Sequence, residues 1–166
     1  MEDVTRCSET FRAQVERHSR SGLKEYPTRT IFTNVLRMTS AHDVGRAINP
    51  QGCEGQGEGA AAMGLGGAFL EELLVGAKGE LRNPAFLDYR MPTSLDVPPV
   101  MPIIVEEPHE QGPYGAKGLG ELALAATSAC LSNAIFAGTG LRLNQLPISA
   151  ERVLAAVRAQ RGGDGA

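Results

Sequence analysis

The sequence has few of the residues that build a disulfide framework or a protein-held metal site. Its 166 residues include three cysteines and three histidines, all widely spaced. An odd number of cysteines with no C-x-x-C pair favours a reducing compartment and gives no disulfide framework. We therefore expect a cytoplasmic protein in which side chains hold no metal ion.

An excess of basic charge and a long hydrophobic run are also lacking. The chain carries 16 basic and 19 acidic residues, for a net charge of −3. This mild acidity leaves no basic footprint for nucleic acid and no polybasic patch for a membrane surface. No stretch reaches the roughly 20 apolar residues of a membrane span, and the N-terminus has no apolar signal segment. We expect neither nucleic-acid nor membrane partners.

Glycine and proline are plentiful, at 20 and 10 residues, and the glycines are clustered rather than periodic. Clustered glycines indicate special backbone geometry more than disorder. The polar, charge-mixed residues 1–30 are predicted to be a loosely ordered N-terminal segment, with a short helix between Ser8 and His18. Residues 31–160 are predicted to form one domain, and 161–166 a disordered tail.

Strand and turn signals alternate with helical ones. The stretch TIFTNVLRMTSAHDVG predicts one strand or two joined strands ending near Asp43, and MPIIVEE predicts a short buried strand. RAINPQG and VGAKGE are predicted turns, the second of the hairpin type. Strands and helices are mixed without a regular βαβ alternation, which predicts an α+β fold.

Three further helices are expected after residue 50. Apolar positions at helical spacing predict a glycine-rich helix over Glu54–Leu74, in which Gly64, Gly66 and Gly67 favour close helix packing over ligand contact. A helix over Glu121–Ala137 is apolar on nearly every side and is expected to be buried. Ser149 is the predicted N-cap of a last amphipathic helix.

Familiar catalytic and nucleotide-binding motifs are not matched. In GPYGAKGLGE, Gly118 stands where a P-loop has a hydroxyl residue, and EGQGEGAAAMG has the wrong spacing for a dinucleotide-binding loop. No serine lies in a G-x-S-x-G elbow.

Glu121 is the remaining candidate for chemistry. It stands where a helix begins, directly after a run of glycines. It could satisfy the helix start, where the macrodipole favours a carboxylate. It could equally be a general base held on a rigid helix, with the glycines leaving room for a bulky cofactor. The residues alone leave both interpretations open.

Three blocks together resemble the molybdenum hydroxylases, the xanthine dehydrogenase and aldehyde oxidase family. They are DVGRAINPQGCEGQGEGAAAMGLGGAFLEEL (43–73), NPAFLDYRMPTSLDVP (83–98) and VEEPHEQGPYGAKGLGE (105–121). Their order and spacing are similar to the C-terminal part of the molybdopterin-binding large subunit, over about residues 35–158. Each glycine run alone is a weak signal, but the set is specific.

The resemblance implies an oxidoreductase that hydroxylates an N-heterocycle or an aldehyde with water as the oxygen source. Glu121 matches the family's catalytic base, which takes a proton from a hydroxyl on molybdenum. The resemblance also implies a set of residues near the molybdopterin, whose dithiolene holds the molybdenum. A cytosine dinucleotide appended to the pterin is one expected form of this cofactor. This set comprises Gln56, Gly57, Gly115, Ala116, Lys117 and Gly118.

The chain also departs from the family pattern. Leu122 and Ala123 follow the glutamate where the family usually has proline, and residues 1–30 match nothing in the family. Much of the molybdopterin site, and the iron–sulfur and FAD modules, are expected on partner chains. Two alternatives remain: a non-catalytic remnant of such a subunit, and an anion-binding module that uses the amides of Gly115–Gly120.

Overall fold

The computed structural model describes Ala13–Gln14 and residues 34–163. Its strands are β1 (Ala13–Gln14), β2 (Asn34–Val35), β3 (Met38–Asp43) and β4 (Val100–Val105). Its helices are α1 (Pro50–Phe69), α2 (Leu122–Thr139) and α3 (Ala150–Gly163), with a short 3₁₀ turn at Pro113–Gly115. Mixed helices and short strands confirm the predicted α+β class.

The N-terminal predictions fall mainly outside the described residues. Of the helix predicted between Ser8 and His18, only Ala13–Gln14 are described, and they form a strand that pairs antiparallel with β2. The helix prediction is wrong at these two positions. At the other end of the chain, α3 extends three residues into the predicted tail, and residues 164–166 lie outside the described part.

Strands β3 and β4 form a parallel pair whose register runs from Met38 opposite Val100 to Asp43 opposite Val105. The predicted end near Asp43 is confirmed. A parallel pair needs a crossover connection, so β3, α1 and β4 form one β–α–β unit in a chain without regular alternation. The prediction that β4 is buried is wrong at Met101, Ile103 and Val105, which are 45–53% exposed. No described element covers that face of the strand pair.

Helix α1 begins four residues earlier than predicted. The Asn49 side chain accepts a hydrogen bond from the Gly52 amide, and Pro50 occupies the first turn. Proline suits that position because its missing N–H would have no helical partner. The residues predicted as a turn are therefore partly a helix start. The helix ends at Phe69, where the amides of Leu70 and Glu71 both donate to the Gly66 carbonyl.

The glycines of α1 have different surroundings. A Cβ at Gly64 would lie 2.5 Å from the Thr127 Cβ of α2, so the two helices meet closely there and the predicted helix packing is confirmed. A Cβ at Gly66 would lie 2.8 Å from Pro92 and would meet the Glu71 carboxylate, neither of them on a helix. Gly67 has nothing within 4 Å of that point, so close packing does not account for it.

Two small hydrophobic clusters form the core. One contains Met38, Ala61 and Leu65, and joins β3 to α1. The other contains Ile135, Ile148 and Val153, and joins α2 to α3. Phe69, at the end of α1, packs against both clusters. The last turn of α1 is therefore where the two halves of the core meet.

Helix α2 is only partly buried, so the prediction that it is buried on nearly every side is wrong. Its buried residues lie on one side of the helix and are Ala123, Thr127, Leu131, Ala134 and Ile135. By length and composition α2 could also cross a membrane, since its mean hydropathy is 1.4 over 18 residues, which the sequence analysis did not anticipate. The core helix of a soluble protein passes the same test, so length and composition alone do not assign α2 to a membrane.

The ends of the two C-terminal helices agree with the sequence. Gly140 adopts a left-handed conformation with φ +73° and ends α2, as glycine commonly does. The Ser149 hydroxyl accepts from the Arg152 amide at 3.3 Å, which confirms the predicted cap of α3. The VGAKGE turn is a hairpin turn closed by a Val75–Leu81 bridge, as expected.

Candidate functional site

An open cleft of about 360 Å³ lies where the start of α1 meets the loop that leads into α2. From the α1 side it is lined by Asn49, Gly52, Cys53 and Gln56, and from the loop by Ala116, Lys117, Leu119 and Gly120. Val44, Arg46 and Ile48 complete the lining. Two helix N-termini therefore approach one cleft, and its lining includes two cationic side chains and no carboxylate.

The loop lies against the residues that follow β3. The Lys117 amide donates to the Val44 carbonyl at 2.9 Å, and the Arg46 amide donates to the Gly115 carbonyl at 2.9 Å. Gly45 lies between these bonds with φ +65°, and a Cβ there would lie 2.8 Å from the Lys117 nitrogen. Only glycine fits such close contact at a left-handed position without strain.

Asp43, the last residue of β3, binds the same loop through its side chain. One carboxylate oxygen pairs with the Lys117 ammonium. The other accepts from the Gly45 amide at 2.9 Å and the Glu107 amide at 3.4 Å. The hydrogen bond from Lys117 is the largest cause that lowers the pKa of Asp43, followed by the bond from the Gly45 amide. Lys117 is thus bound within the chain and is not a free cation at the cleft.

Gln56 reaches across the cleft to the residue before the candidate base. Its side-chain amide donates to the Gly120 carbonyl. Glu121 follows directly, is exposed, and occupies the N-cap position of α2 without a side-chain capping bond. None of the ion pairs between described residues includes it. The carboxylate therefore does not satisfy the helix start by accepting a backbone N–H, although it stands at the positive end of the α2 macrodipole.

The amides of the glycine loop divide into two groups. Those of Gly115, Ala116 and Lys117 already donate to Gly112, Pro113 and Val44. Those of Gly118, Leu119 and Gly120 have no acceptor among the residues that the structure describes. Half of the amides that the anion-binding alternative requires are therefore occupied by the chain itself.

The predicted site residues are only partly brought together. Gln56, Ala116 and Lys117 line the cleft, and Glu121 adjoins its lining at Gly120. Gly115 and Gly118 are not among the lining residues. Gly57 is buried against the strands, where a Cβ would lie 3.3 Å from Pro102. Packing against β4 accounts for this glycine without a cofactor.

Sequence reasoning missed Arg46, Asn49 and Cys53, which line the cleft, and Asp43, which pairs with the cleft-lining Lys117. The available signal was Asn49-Pro50, an N-cap followed by a first-turn proline, which marks a helix start more specifically than a turn. No comparable signal pairs Asp43 with Lys117, since 74 residues separate them. Within the described part of the chain, no group of three or more His, Cys, Asp or Glu could hold a metal ion.

Known proteins are similar to this chain in sequence and fold. A family model described as the molybdopterin cofactor-binding domain matches residues 25–98. The chain is 41% identical over 120 residues to the putative xanthine dehydrogenase molybdenum-binding subunit of Escherichia coli, which covers 72% of the chain and 16% of that subunit. It is 33% identical over 164 residues to the nicotine 6-hydroxylase large subunit of Paenarthrobacter nicotinovorans, covering 96% of the chain and 20% of that subunit. That alignment includes most of residues 1–30, so the expectation that they match nothing in the family is wrong.

A solved structure gives the same result. Quinoline 2-oxidoreductase from Pseudomonas putida matches with a TM-score of 0.73 and 32% identity, over 78% of this chain and 17% of that one. The chain thus spans between 16% and 20% of the length of these three proteins. Sequence and fold agree on one conclusion: the chain belongs to the molybdenum hydroxylase family and corresponds to one segment of its molybdopterin-binding subunit.

Proposed function

We propose that this chain forms part of the molybdopterin site of a molybdenum-dependent oxidoreductase, with Glu121 as its general base. The observation that carries the proposal is the position of Glu121. The carboxylate is exposed, unpaired among the described residues, and directly follows the cleft-lining Gly120, which Gln56 holds. A carboxylate so placed is free to accept a proton from a group bound at the cleft.

The residues at the cleft fit an anionic, hydrogen-bonding cofactor such as a molybdopterin. The unoccupied amides of Gly118, Leu119 and Gly120 are donors for its phosphate or pterin oxygens. The Gln56 side chain retains an oxygen acceptor and a second N–H, which suit the mixed donors and acceptors of a pterin edge. Arg46 adds a positive charge, and no carboxylate lines the cleft to repel the group.

When bound, the cofactor would supply two-electron oxidation and would acidify coordinated water. The residues of this chain would position the cofactor and balance its negative charge. Gln56 would keep the Gly120 carbonyl oxygen hydrogen-bonded within the chain, and Glu121 would accept a proton from a group bound at the cleft. The class of substrate that we propose is a small N-heterocycle or an aldehyde.

The proposed assembly includes partner chains. Since the chain spans at most 20% of its relatives' length, we propose that other subunits supply the rest of the molybdopterin site and the 2Fe–2S and FAD modules. We further propose the cytosine dinucleotide form of the cofactor and a cytoplasmic location. A non-catalytic remnant is the second candidate, favoured by Leu122 and Ala123 in place of the expected proline.

The decisive experiment compares E121Q with the wild type after purification of the chain together with its associated subunits. We expect E121Q to keep its molybdenum and pterin content but to lose about 10²- to 10⁴-fold in kcat, because the amide cannot accept the proton. E58Q is the matched control, since Glu58 is exposed on α1 and does not line the cleft.

Three results would contradict the proposal in whole or in part. Wild-type protein that carries no molybdenum in its native complex would favour the remnant. Full activity in E121Q would remove Glu121 as the base while leaving cofactor binding in place. Equal losses in E121Q and E58Q would show that charge rather than a specific proton acceptor is responsible.

A further inference from the structure

The loop that leads to Glu121 is held by polar contacts at its two ends. Ala116 and Lys117 are held against Val44 and the end of β3, and Gly120 is held by Gln56. Between them, a Cβ at Gly118 would have no atom within 4 Å, and neither would one at Gly120. These two glycines contribute no side-chain packing, and Leu119 between them is half-buried at the cleft. The polar contacts at the two ends are therefore important restraints on where this stretch lies.

The Asp43 carboxylate joins three segments of the chain. Its carboxylate binds Lys117 of the loop, the amide of Gly45 after β3, and the amide of Glu107 after β4. Charge-assisted bonds of this kind are stronger than neutral ones and fix geometry. The side chains of Lys117 and Asp43 are 28% and 40% exposed, so water screens the pair only in part.

The backbone beneath this pair is built for close contact. Two hydrogen bonds of 2.9 Å join Val44 and Arg46 to Lys117 and Gly115, and Gly45 lets the two segments approach. The salt bridge therefore closes over a short backbone pairing, which aligns the Lys117 side chain with the end of β3. A lysine in this position is a structural anchor rather than a ligand for substrate.

We propose that Asp43 is a positioning residue that acts through Lys117 to hold the loop from which Glu121 extends. Asp43 itself touches no reacting group. Its role is to anchor one end of the loop at the edge of the sheet, while Gln56 anchors the other end. The catalytic consequence rests on the proposed function of Glu121, but the anchoring of the loop does not.

The test measures amide hydrogen exchange of Lys117 and Arg46 in the full chain within its native complex. D43N and K117Q should each raise exchange at both amides by about threefold to tenfold, the range expected for a partly exposed charged hydrogen bond. K117R keeps the charge and should retain most of the protection. The matched control is E72Q, because Glu72 pairs with Arg152 at 2.9 Å with exposures of 40% and 29%.

Exchange in D43N equal to that in the wild type would overturn the proposal, and so would an equal rise in E72Q. Steady-state kinetics provide the second measurement. With molybdenum content and KM unchanged, D43N should lower kcat by about tenfold if a displaced loop misplaces Glu121. Full activity in E121Q would refute the base but not the anchor, because the exchange result does not depend on turnover.

Discussion

Two carboxylates beside the cleft, those of Asp43 and Glu121, have contrasting surroundings. Asp43 accepts three hydrogen bonds, and the bond from Lys117 is the main cause of its lowered pKa. Glu121 accepts no capping bond, although it stands at the start of an 18-residue helix. A carboxylate with many partners has a structural role, whereas one without partners remains free for proton transfer. Position in the sequence alone does not separate these roles.

A second ionisable side chain near Asp43 makes a separate prediction about stability. His42 hydrogen-bonds to the Ser40 hydroxyl at 2.7 Å, and burial lowers its pKa below the ordinary value of 6.5. Because the folded-state pKa is depressed, the unfolded chain protonates first as pH falls. The stability linked to neutral His42 is therefore complete above pH 6.5 and is lost as pH falls through the folded-state value.

The measurement is the melting temperature of the chain between pH 7.5 and pH 5. The wild type should lose stability in this range, and H42Q should lose less, because glutamine does not titrate. H109Q is the control, since His109 is exposed in the loop before the 3₁₀ turn, and it should behave like the wild type. An identical pH dependence in H42Q and wild type would contradict the prediction.

At the scale of single elements, helix α1 shows what a hydrophobic pattern can and cannot predict. The pattern correctly predicted a helix, but it placed the ends at Glu54 and Leu74 instead of Pro50 and Phe69. The early start depends on the Asn49 side chain and Pro50, both of which also occur in turns. The helix ends early because the amides of Leu70 and Glu71 both donate to the Gly66 carbonyl, and the spacing of apolar residues does not predict this contact.

Alanine substitutions at two glycines of α1 should change the stability of the chain in opposite directions. G64A places a Cβ 2.5 Å from Thr127 and should destabilise the chain by about 1–3 kcal/mol, because α1 and α2 must separate. G67A meets nothing within 4 Å and should stabilise it by up to about 1 kcal/mol through higher helix propensity. Urea denaturation of both variants measures the difference, and the same sign for both would contradict this packing.

At the scale of the whole molecule, one side of α2 is apolar and exposed. Leu122 and Phe136 are 49% and 41% exposed, and Ala126 and Ala129 lie between them at helical spacing. We define these four residues as the α2 stripe. A stripe of this kind is usually covered by another element. The proposed function assigns that cover to the remainder of the molybdopterin-binding subunit.

A129E tests this assignment because it adds a charge at the centre of the α2 stripe. The melting temperature of the chain should stay unchanged, since Ala129 is exposed, while recovery of the other subunits on purification should fall at least fivefold, about 1 kcal/mol of lost association. A155E makes the same substitution at an exposed position of α3 and should leave recovery unchanged. Unchanged recovery of the other subunits with A129E would show that the α2 stripe does not contact them. If the wild-type chain by itself partitioned into membranes, the stripe would contact a membrane instead.

The sequence by itself determined which residue types are present and which local patterns they form. Mixed helices and strands, the strand end at Asp43, the caps at Gly140 and Ser149, and the family resemblance all follow from short-range patterns. The helices, strands and caps depend on residues within a few positions of one another, where propensity and capping decide the conformation. The family resemblance depends on the order and spacing of three blocks along the chain.

Only the tertiary structure decided which of these residues meet. Asp43 pairs with Lys117 across 74 residues, Gln56 binds Gly120 across 64, and Gly64 packs on Thr127. The tertiary structure also showed that the Glu121 side chain makes no capping hydrogen bond, and that Gly57 packs against a strand instead of lining the cleft. Such contacts form because α1 packs against α2 and against β3, and because the loop before α2 lies against the end of β3. No local pattern along the chain encodes which of these segments meet.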